Sequence, residues 1–167
     1  MYLLSRLVSQ PEVVMKIVSS KIMLVSLFLY FNRQFPDLTP HILKILFTLF
    51  KLKDKLSEFT TEYGINISIF VNESKEMLTS WIKNWNREKF INLSGLVSSS
   101  LESFPETSTE YADLIPQLTA ILKDRVEMER KNAAVLLAKM AKNEENKKLM
   151  VKYHTMEVLM SLGGNFN

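Results

Sequence analysis

The segment Glu129-Arg-Lys-Asn-Ala-Ala-Val-Leu-Leu-Ala-Lys-Met-Ala141 carries the clearest structural signal in the chain. Ala133, Leu137 and Met140 recur at the spacing that places apolar residues on one face of an α-helix, while the basic residues lie largely elsewhere. Its four alanines are small enough to let a second helix approach closely. A helix of this kind gains most of its stability by packing its apolar face against other elements, so the segment predicts a packed helical protein.

The sequence on either side of this helix continues the same pattern. Four apolar residues that share one helical face predict a preceding helix: Leu114, Leu118, Ile121 and Leu122. After the helix, residues 143–145 form a polar break, and a further helix is predicted to about Tyr153. A last helix is predicted from Met156 to Leu162, where Gly163 and Gly164 would end it.

The N-terminal third predicts two long apolar helices. The first would begin at Pro11, with Ser9 as its cap, and continue to Asn32. A turn over residues 35–40, with Thr39 as cap, would lead into a second helix from His41 to about Ser57. This second helix is apolar on nearly all sides, which is typical of a helix buried on several faces. In so short a chain, we expect partner chains to cover part of both helices.

The middle of the chain is less regular. Residues 64–70 alternate apolar and polar side chains, as a strand does, but helical spacing resumes from Glu73, so a helix or an irregular segment is favoured. A helix is predicted from Phe90 to Leu101, and residues 105–109 are expected to form a polar linker. The helices near Glu88 and Arg130 begin 42 residues apart, within the ~40–47-residue period of armadillo and HEAT repeats.

Composition supports an all-α fold and argues against several functions. The 167 residues include only four glycines, against about twelve at average usage, so tight β-hairpin turns are improbable. No cysteine is present, which removes disulfides and thiolate metal ligands. A net charge of +3 is too small to predict nucleic-acid binding by itself. The longest apolar run, Ile22 to Phe31, is shorter than the ~20 residues that span a membrane.

Catalytic equipment is not evident in the sequence. His41 and His154 are the only histidines, and neither stands at metal-ligand spacing from another candidate ligand. The glycines form no phosphate-binding motif. We therefore expect no enzyme activity, no cofactor, no metal and no small-molecule substrate.

Residues 114–122, 129–141 and 143–151 resemble, in order, the second and third helices of one armadillo repeat and the first helix of the next. This resemblance implies an armadillo/HEAT-like right-handed helical solenoid of a few irregular repeats. It would form one domain over residues 1–167, with an apolar helix pair (1–60), an irregular middle (65–105) and the best-matching repeat (110–165). The chain would be a fragment of a longer protein, with Met1 an internal methionine.

Two departures from the armadillo pattern affect the expected function. Where peptide-binding members of the family carry a tryptophan and an asparagine on the third helix, this chain has Val135 and Lys139. Where the family usually carries a glycine between the first and second helices, it has His154 and Thr155. The resemblance therefore implies a rigid scaffold that docks broad surfaces more than a groove for an extended peptide.

Residues 130–146 are similar to the C-terminal core of the AT-rich-interaction-domain subunit of SWI/SNF chromatin remodellers. The resemblance implies a nuclear, non-enzymatic core that bridges other protein subunits. A free-standing armadillo adaptor for a peptide or cargo, and a nucleic-acid-binding helical domain with weak DNA contact, remain alternatives.

Candidate interface residues come from three clusters. The first cluster is on the predicted second helix, where Lys44, Lys51 and Lys55 share a face and either solvate an apolar helix or contact DNA phosphates. In the second, Trp81 and Trp85 lie four residues apart and are either core residues or an interface anchor. The third is the pair on the armadillo-like third helix. The set comprises Ile42, Lys44, Phe47, Phe50, Lys51, Lys55, Trp81, Trp85, Val135 and Lys139.

Overall fold

The computed structural model of the chain describes residue 6 and residues 10–32 and 38–163. Over these residues the chain is helical with short connections and contains no strand, which confirms the all-α class. Ser9, residues 35–37 of the predicted turn and Gly164 lie outside the described residues. The chain divides into two compact units, Met1–Glu73 and Ser74–Asn167.

The first unit is built around a cluster of phenylalanine rings. Phe28 and Phe50 meet edge to face with their centroids 6.4 Å apart, and Phe70 lies 5.2 Å from Phe50 and 6.0 Å from Phe28. Such contacts add to the free energy gained from burial. The helices that bring these rings together are α1 (Pro11–Val18), α2 (Lys21–Asn32), α3 (Thr39–Phe50), α4 (Lys53–Glu62) and the start of α5 (Ile67–Lys83).

The single helix predicted from Pro11 to Asn32 is wrong, because α1 and α2 meet at an angle of 86°. Two serines explain the break. The hydroxyl of Ser19 donates to the carbonyl of Met15 at 2.7 Å, and the hydroxyl of Ser20 accepts from the backbone N–H of Met23 at 3.4 Å. These side-chain bonds satisfy backbone groups at the end of α1 and at the start of α2, so the chain can turn between them.

The second predicted helix is also two helices. At the end of α3 the backbone N–H groups of Lys51 and Leu52 bond to carbonyls only three residues back, which tightens the last turn and ends the helix. The chain restarts as α4, where Leu56 is fully buried. Thr39 is the first residue of α3 and not its cap; Leu38 occupies the cap position.

The alternating segment 64–70 forms no strand, and the helical interpretation is confirmed. Gly64 has a φ of +65°, a left-handed conformation that glycine adopts without strain, and it turns the chain after α4. The side chain of Asn66 then accepts a hydrogen bond from the N–H of Ser68 at 3.0 Å as α5 begins.

The polar linker predicted at residues 105–109 is instead the start of a ten-residue 3₁₀ helix, η1 (Pro105–Leu114). Its buried residues are Ser108, Tyr111 and Leu114, which recur every third position as the three residues per turn of this helix require. The remaining elements of the second unit are α6 (Arg87–Ser103), α7 (Ile115–Asp124), α8 (Glu127–Met140), α9 (Glu144–Lys152) and α10 (Thr155–Gly163).

Helices α6 and α8 pack side by side and run in the same direction. Near their starts, Arg87 Nε donates to Glu129 Oε1 at 2.7 Å; near their ends, Lys139 pairs with Glu102. The members of these pairs lie 42 and 37 residues apart in sequence. The two helices that were predicted to begin 42 residues apart, near Glu88 and Arg130, are therefore neighbours in space.

Two further pairs of elements contact each other across a similar separation in sequence. Between η1 and α9, the buried amide of Asn146 donates to the carbonyl of Ser108, 38 residues earlier. Between α7 and α10, the buried hydroxyls of Thr119 and Thr155 lie 2.8 Å apart and 36 residues apart in sequence. Each of these elements of the second unit thus contacts a counterpart 36–42 residues away.

Replacing Asn146 with alanine is expected to lower the free energy of unfolding by about 2 kcal/mol, as measured by urea denaturation. Its amide donates to the carbonyls of Ser108 (3.0 Å) and Met140 (3.1 Å), and both would lose this buried donor. The control is Asn143→Ala, which removes only the cap of α9 and should cost about 1 kcal/mol. An effect of Asn146→Ala no larger than that of the control would contradict this assignment.

The pH dependence of stability gives a second prediction. The hydroxyl of Tyr111 is fully buried and lies 2.7 Å from that of Ser74. Burial raises the pKa of Tyr111 well above its ordinary value, and the hydrogen bonds with Ser74 and Ser100 offset only part of this rise. The neutral form is therefore retained in the folded protein at a pH where the unfolded chain has released its proton.

Tyr111 makes its full contribution to the free energy of unfolding below about pH 10, the ordinary tyrosine pKa, and this contribution is lost as the pH rises above that value. We expect the free energy of unfolding of the wild-type protein to fall more steeply between about pH 9.5 and 11 than that of Tyr111→Phe. At pH 7 the variant should be less stable by about 1 kcal/mol. Parallel alkaline slopes in urea titrations of the two proteins would show that Tyr111 does not act in this way.

Candidate interaction surfaces

Two of the predicted interface residues belong to the interior of this chain. Ile42 and Phe50 are both buried, and the Phe50 ring is packed against Phe28 and Phe70. Their assignment to an interface is wrong, because α2 and α5 already supply the apolar cover that we expected from partner chains. A helix that is apolar on nearly all sides can be enclosed within a single small unit when its neighbours are apolar too.

The basic cluster of α3 lies on its exposed side. Lys44 and Lys51 are exposed, and the ammonium group of Lys51 lies 4.8 Å from the centroid of the Phe47 ring. This contact shields a half-buried aromatic ring with a charged side chain. Lys55 belongs to α4, so the prediction that the three lysines share one helix face is wrong; the surroundings of its side chain lie outside the described part of the chain. The arrangement favours a solvating role, and contact with DNA stays a prediction.

The tryptophan pair is half-buried at the end of α5 and is covered by cations. The guanidinium of Arg125 lies 4.0 Å from the centroid of Trp85, and the ammonium of Lys89 lies 5.5 Å from that of Trp81. Trp85 also contacts the buried ring of Phe90 at 5.5 Å. Trp85 therefore packs against the core of the second unit, and a cation lies over each ring. The use of the pair as an interface anchor stays a prediction.

Val135 and Lys139 lie on α8 but differ in their surroundings. Val135 is 41% exposed, whereas Lys139 pairs with Glu102 of α6 and helps to hold the two helices together. Only Val135 therefore remains a candidate for contact with another molecule.

Glu129, the partner of Arg87, is a buried carboxylate that the sequence analysis did not single out. Its Oε1 accepts from Arg87, and no described residue donates to Oε2. Over the described residues, no group of three or more acidic or histidine side chains is placed to hold a metal ion. None of the described helices is by itself long and apolar enough to cross a membrane, although the bent pair of α1 and α2 meets the length and composition criteria together.

The largest exposed apolar side chains of the first unit lie on α2 and at the start of α5. Ile22 is 80% exposed, Leu29 49% and Ile69 44%. We call the surface formed by Ile22, Val25 and Leu29 with Ile65 and Ile69 the α2 patch. The sequence identified the apolar run from Ile22 to Phe31 as partly uncovered, but the pattern alone could not show which side chains face outward.

A cavity of about 330 Å³ opens within the α2 patch. Its floor is formed by Phe28 and Phe70, and three polar residues line it as well: Lys21, Tyr63 and Asn66. The hydroxyl of Tyr63 donates to the carbonyl of Ser19 at 2.9 Å, which ties the segment after α4 to the end of α1. The volume lies at the lower end of the range of ligand-binding pockets.

Comparisons of the chain with protein-family models, with curated proteins and with solved structures found no match. The armadillo and SWI/SNF interpretations therefore stay predictions.

The difference between core and surface positions can be measured directly. We expect Phe50→Ala to lower the free energy of unfolding by about 3–5 kcal/mol, because it leaves a cavity among packed rings. Ile22→Ala should change it by no more than about 0.5 kcal/mol, since this side chain is exposed. Urea denaturation of both variants tests this; similar losses would mean that Phe50 is not in the core.

Proposed function

We propose that this chain is a non-enzymatic scaffold, an armadillo/HEAT-like right-handed solenoid that joins other protein subunits of a large complex through broad helix surfaces. The observation that carries the proposal is the contact of each element from α6 to α10 with a counterpart 36–42 residues away. In repeat proteins each repeat packs on its neighbours, and the stacked helices present extended surfaces to partners.

The direction of packing supports a repeated unit. Successive repeats of a solenoid are related by a small rotation, so equivalent helices lie parallel. Helices α6 and α8 are joined start to start by Arg87 and Glu129 and end to end by Glu102 and Lys139, as equivalent helices would be.

The turn between α9 and α10 supports the same proposal. His154 has a φ of 56°, a left-handed conformation that glycine adopts most easily. This is the position at which the armadillo pattern usually carries glycine. A left-handed turn at this place is compatible with the armadillo pattern although the residue differs.

Exposed apolar side chains give such a scaffold the means to bind. Ile22, Leu29 and Ile69 of the α2 patch are exposed in the first unit, and Val135 is 41% exposed in the second. Contiguous exposed apolar surface commonly marks a site of protein association. A chromatin-remodelling setting is supported by the resemblance of residues 130–146 to the SWI/SNF subunit.

The alternatives have less support. Arg125 and Lys89 cover the tryptophan faces on which nucleic-acid bases would stack. Peptide binding through a groove of asparagines has no support at Val135 and Lys139.

The test is to purify the tagged protein from the cells that make it and to measure the mass of the assembly. We expect it to elute with other protein subunits at a fixed stoichiometry and at several times its own 19.4 kDa. Nuclease treatment should leave the assembly intact, because protein surfaces hold it together. Elution of the chain alone would overturn the scaffold proposal, and dissociation by nuclease would favour the nucleic-acid alternative.

A further inference from the structure

We propose that the α2 patch and its cavity bind an amphipathic helix of a partner protein, and that this helix carries a carboxylate beside one end of its apolar face. The inference rests on the scaffold function proposed above and names one of its docking sites. Three features of the first unit carry it: the shape of the patch, the extent of its apolar surface and the charge at one end.

The shape of the patch matches a helix. Ile22, Val25 and Leu29 stand at i, i+3 and i+7 and form a stripe about 10 Å long on α2. Ile65 and Ile69 lie across the cavity from this stripe. An amphipathic helix that binds in a groove presents its own apolar residues at the same spacing.

The extent of the apolar surface favours a helix over a small molecule. A compound that filled the cavity of about 330 Å³ would contact its lining residues, such as Phe28 and Phe70. Ile22 does not line the cavity, yet it is 80% exposed at the end of the same stripe. A partner helix could insert side chains into the cavity and cover Ile22 as well.

The positive charge at one end of the patch indicates that the partner helix carries a carboxylate. Among the described residues, Lys21 is the only charged one that lines the cavity, and no described carboxylate forms an ion pair with it. Lys21 is also the first residue of α2, whose first turn contains no acidic residue. The partial positive charge of the helix N-terminus therefore adds to that of Lys21 and favours a carboxylate there.

The same charge argues against a second copy of this chain as the occupant. In a two-fold dimer the same surface of both copies meets. The described patch and cavity lining contain no acidic residue, so a second copy would bring another Lys21 and no carboxylate.

The experiment selects binders from a displayed library of helices that are randomised along one face. The wild-type chain is the target. We expect the selected helices to carry large apolar residues at i, i+3 or i+4, and i+7, with Asp or Glu at one end. Binding should weaken about tenfold or more for Leu29→Asp and for Ile69→Asp, because each places a charge in the apolar contact.

The matched control is Met23→Asp. Met23 is 39% exposed on the same helix but lies on a different side of it, so binding should change less than about twofold. All three variants replace exposed side chains, and circular dichroism and thermal unfolding check that each remains folded.

A charge swap tests the predicted carboxylate. Lys21→Glu should weaken binding of a selected acidic helix about fivefold. A helix with lysine in place of that acid should regain the affinity for Lys21→Glu and lose it for the wild type. Equal binding of both helices to both proteins would overturn the assigned role of Lys21.

Other outcomes would overturn the whole inference. The inference fails if the selection yields no helix. It also fails if the selected helices bind the Leu29→Asp variant as tightly as the wild type. A dimer in light scattering that Leu29→Asp dissociates would assign the patch to a second copy. Co-sedimentation with phosphatidylcholine–phosphatidylserine vesicles that Leu29→Asp abolishes would assign it to a membrane surface. If the native assembly forms normally with Leu29→Asp, the inference fails while the scaffold function stands.

Discussion

The parallel packing of α6 and α8 is the constraint on which the second unit depends. Two neighbouring helices that run in the same direction cannot be joined by a short turn, because the end of one lies far from the start of the other. Helix α6 has 17 residues and is about 25 Å long. The chain covers this distance in the reverse direction through η1 and α7 before α8 begins. The separation of about forty residues between counterparts is thus a geometric consequence of parallel packing.

The second unit was the more predictable half of the fold. Its helices are amphipathic, so the spacing of Leu118 and Leu122, or of Ala133 and Leu137, indicates both the helix and its buried face. The sequence also placed α6 and α8 at the correct separation. It missed η1, because Pro105 and the polar residues that follow are equally typical of a loop. Only the three-residue spacing of Ser108, Tyr111 and Leu114 could have indicated a 3₁₀ helix.

The first unit was harder to predict because its helices are apolar on most sides. The two breaks fall at short, mainly polar stretches, residues 19–21 and 51–55, which a longer helix could also accommodate, and they depend on details other than hydrophobicity. One is the bonding of the hydroxyls of Ser19 and Ser20 to the backbone, and the other is the tightened turn at Lys51 and Leu52. The same uniformity explains why the interface candidates Ile42 and Phe50 are core residues while Ile22 is exposed. Which apolar face is covered depends on the neighbours of a helix, and a single sequence does not give their positions.

The contacts between counterparts also limit where the length of this chain can change. One extra residue in α7 after Thr119 would rotate all that follows it by about 100° about the helix axis, so the paired hydroxyls of Thr119 and Thr155 would no longer face each other. An insertion between the exposed residues Arg125 and Val126 would leave each helix intact and lengthen only a connection at the surface. During evolution, insertions and deletions in this part of the second unit should therefore accumulate at this turn, while the lengths of η1, α7 and α8 stay constant.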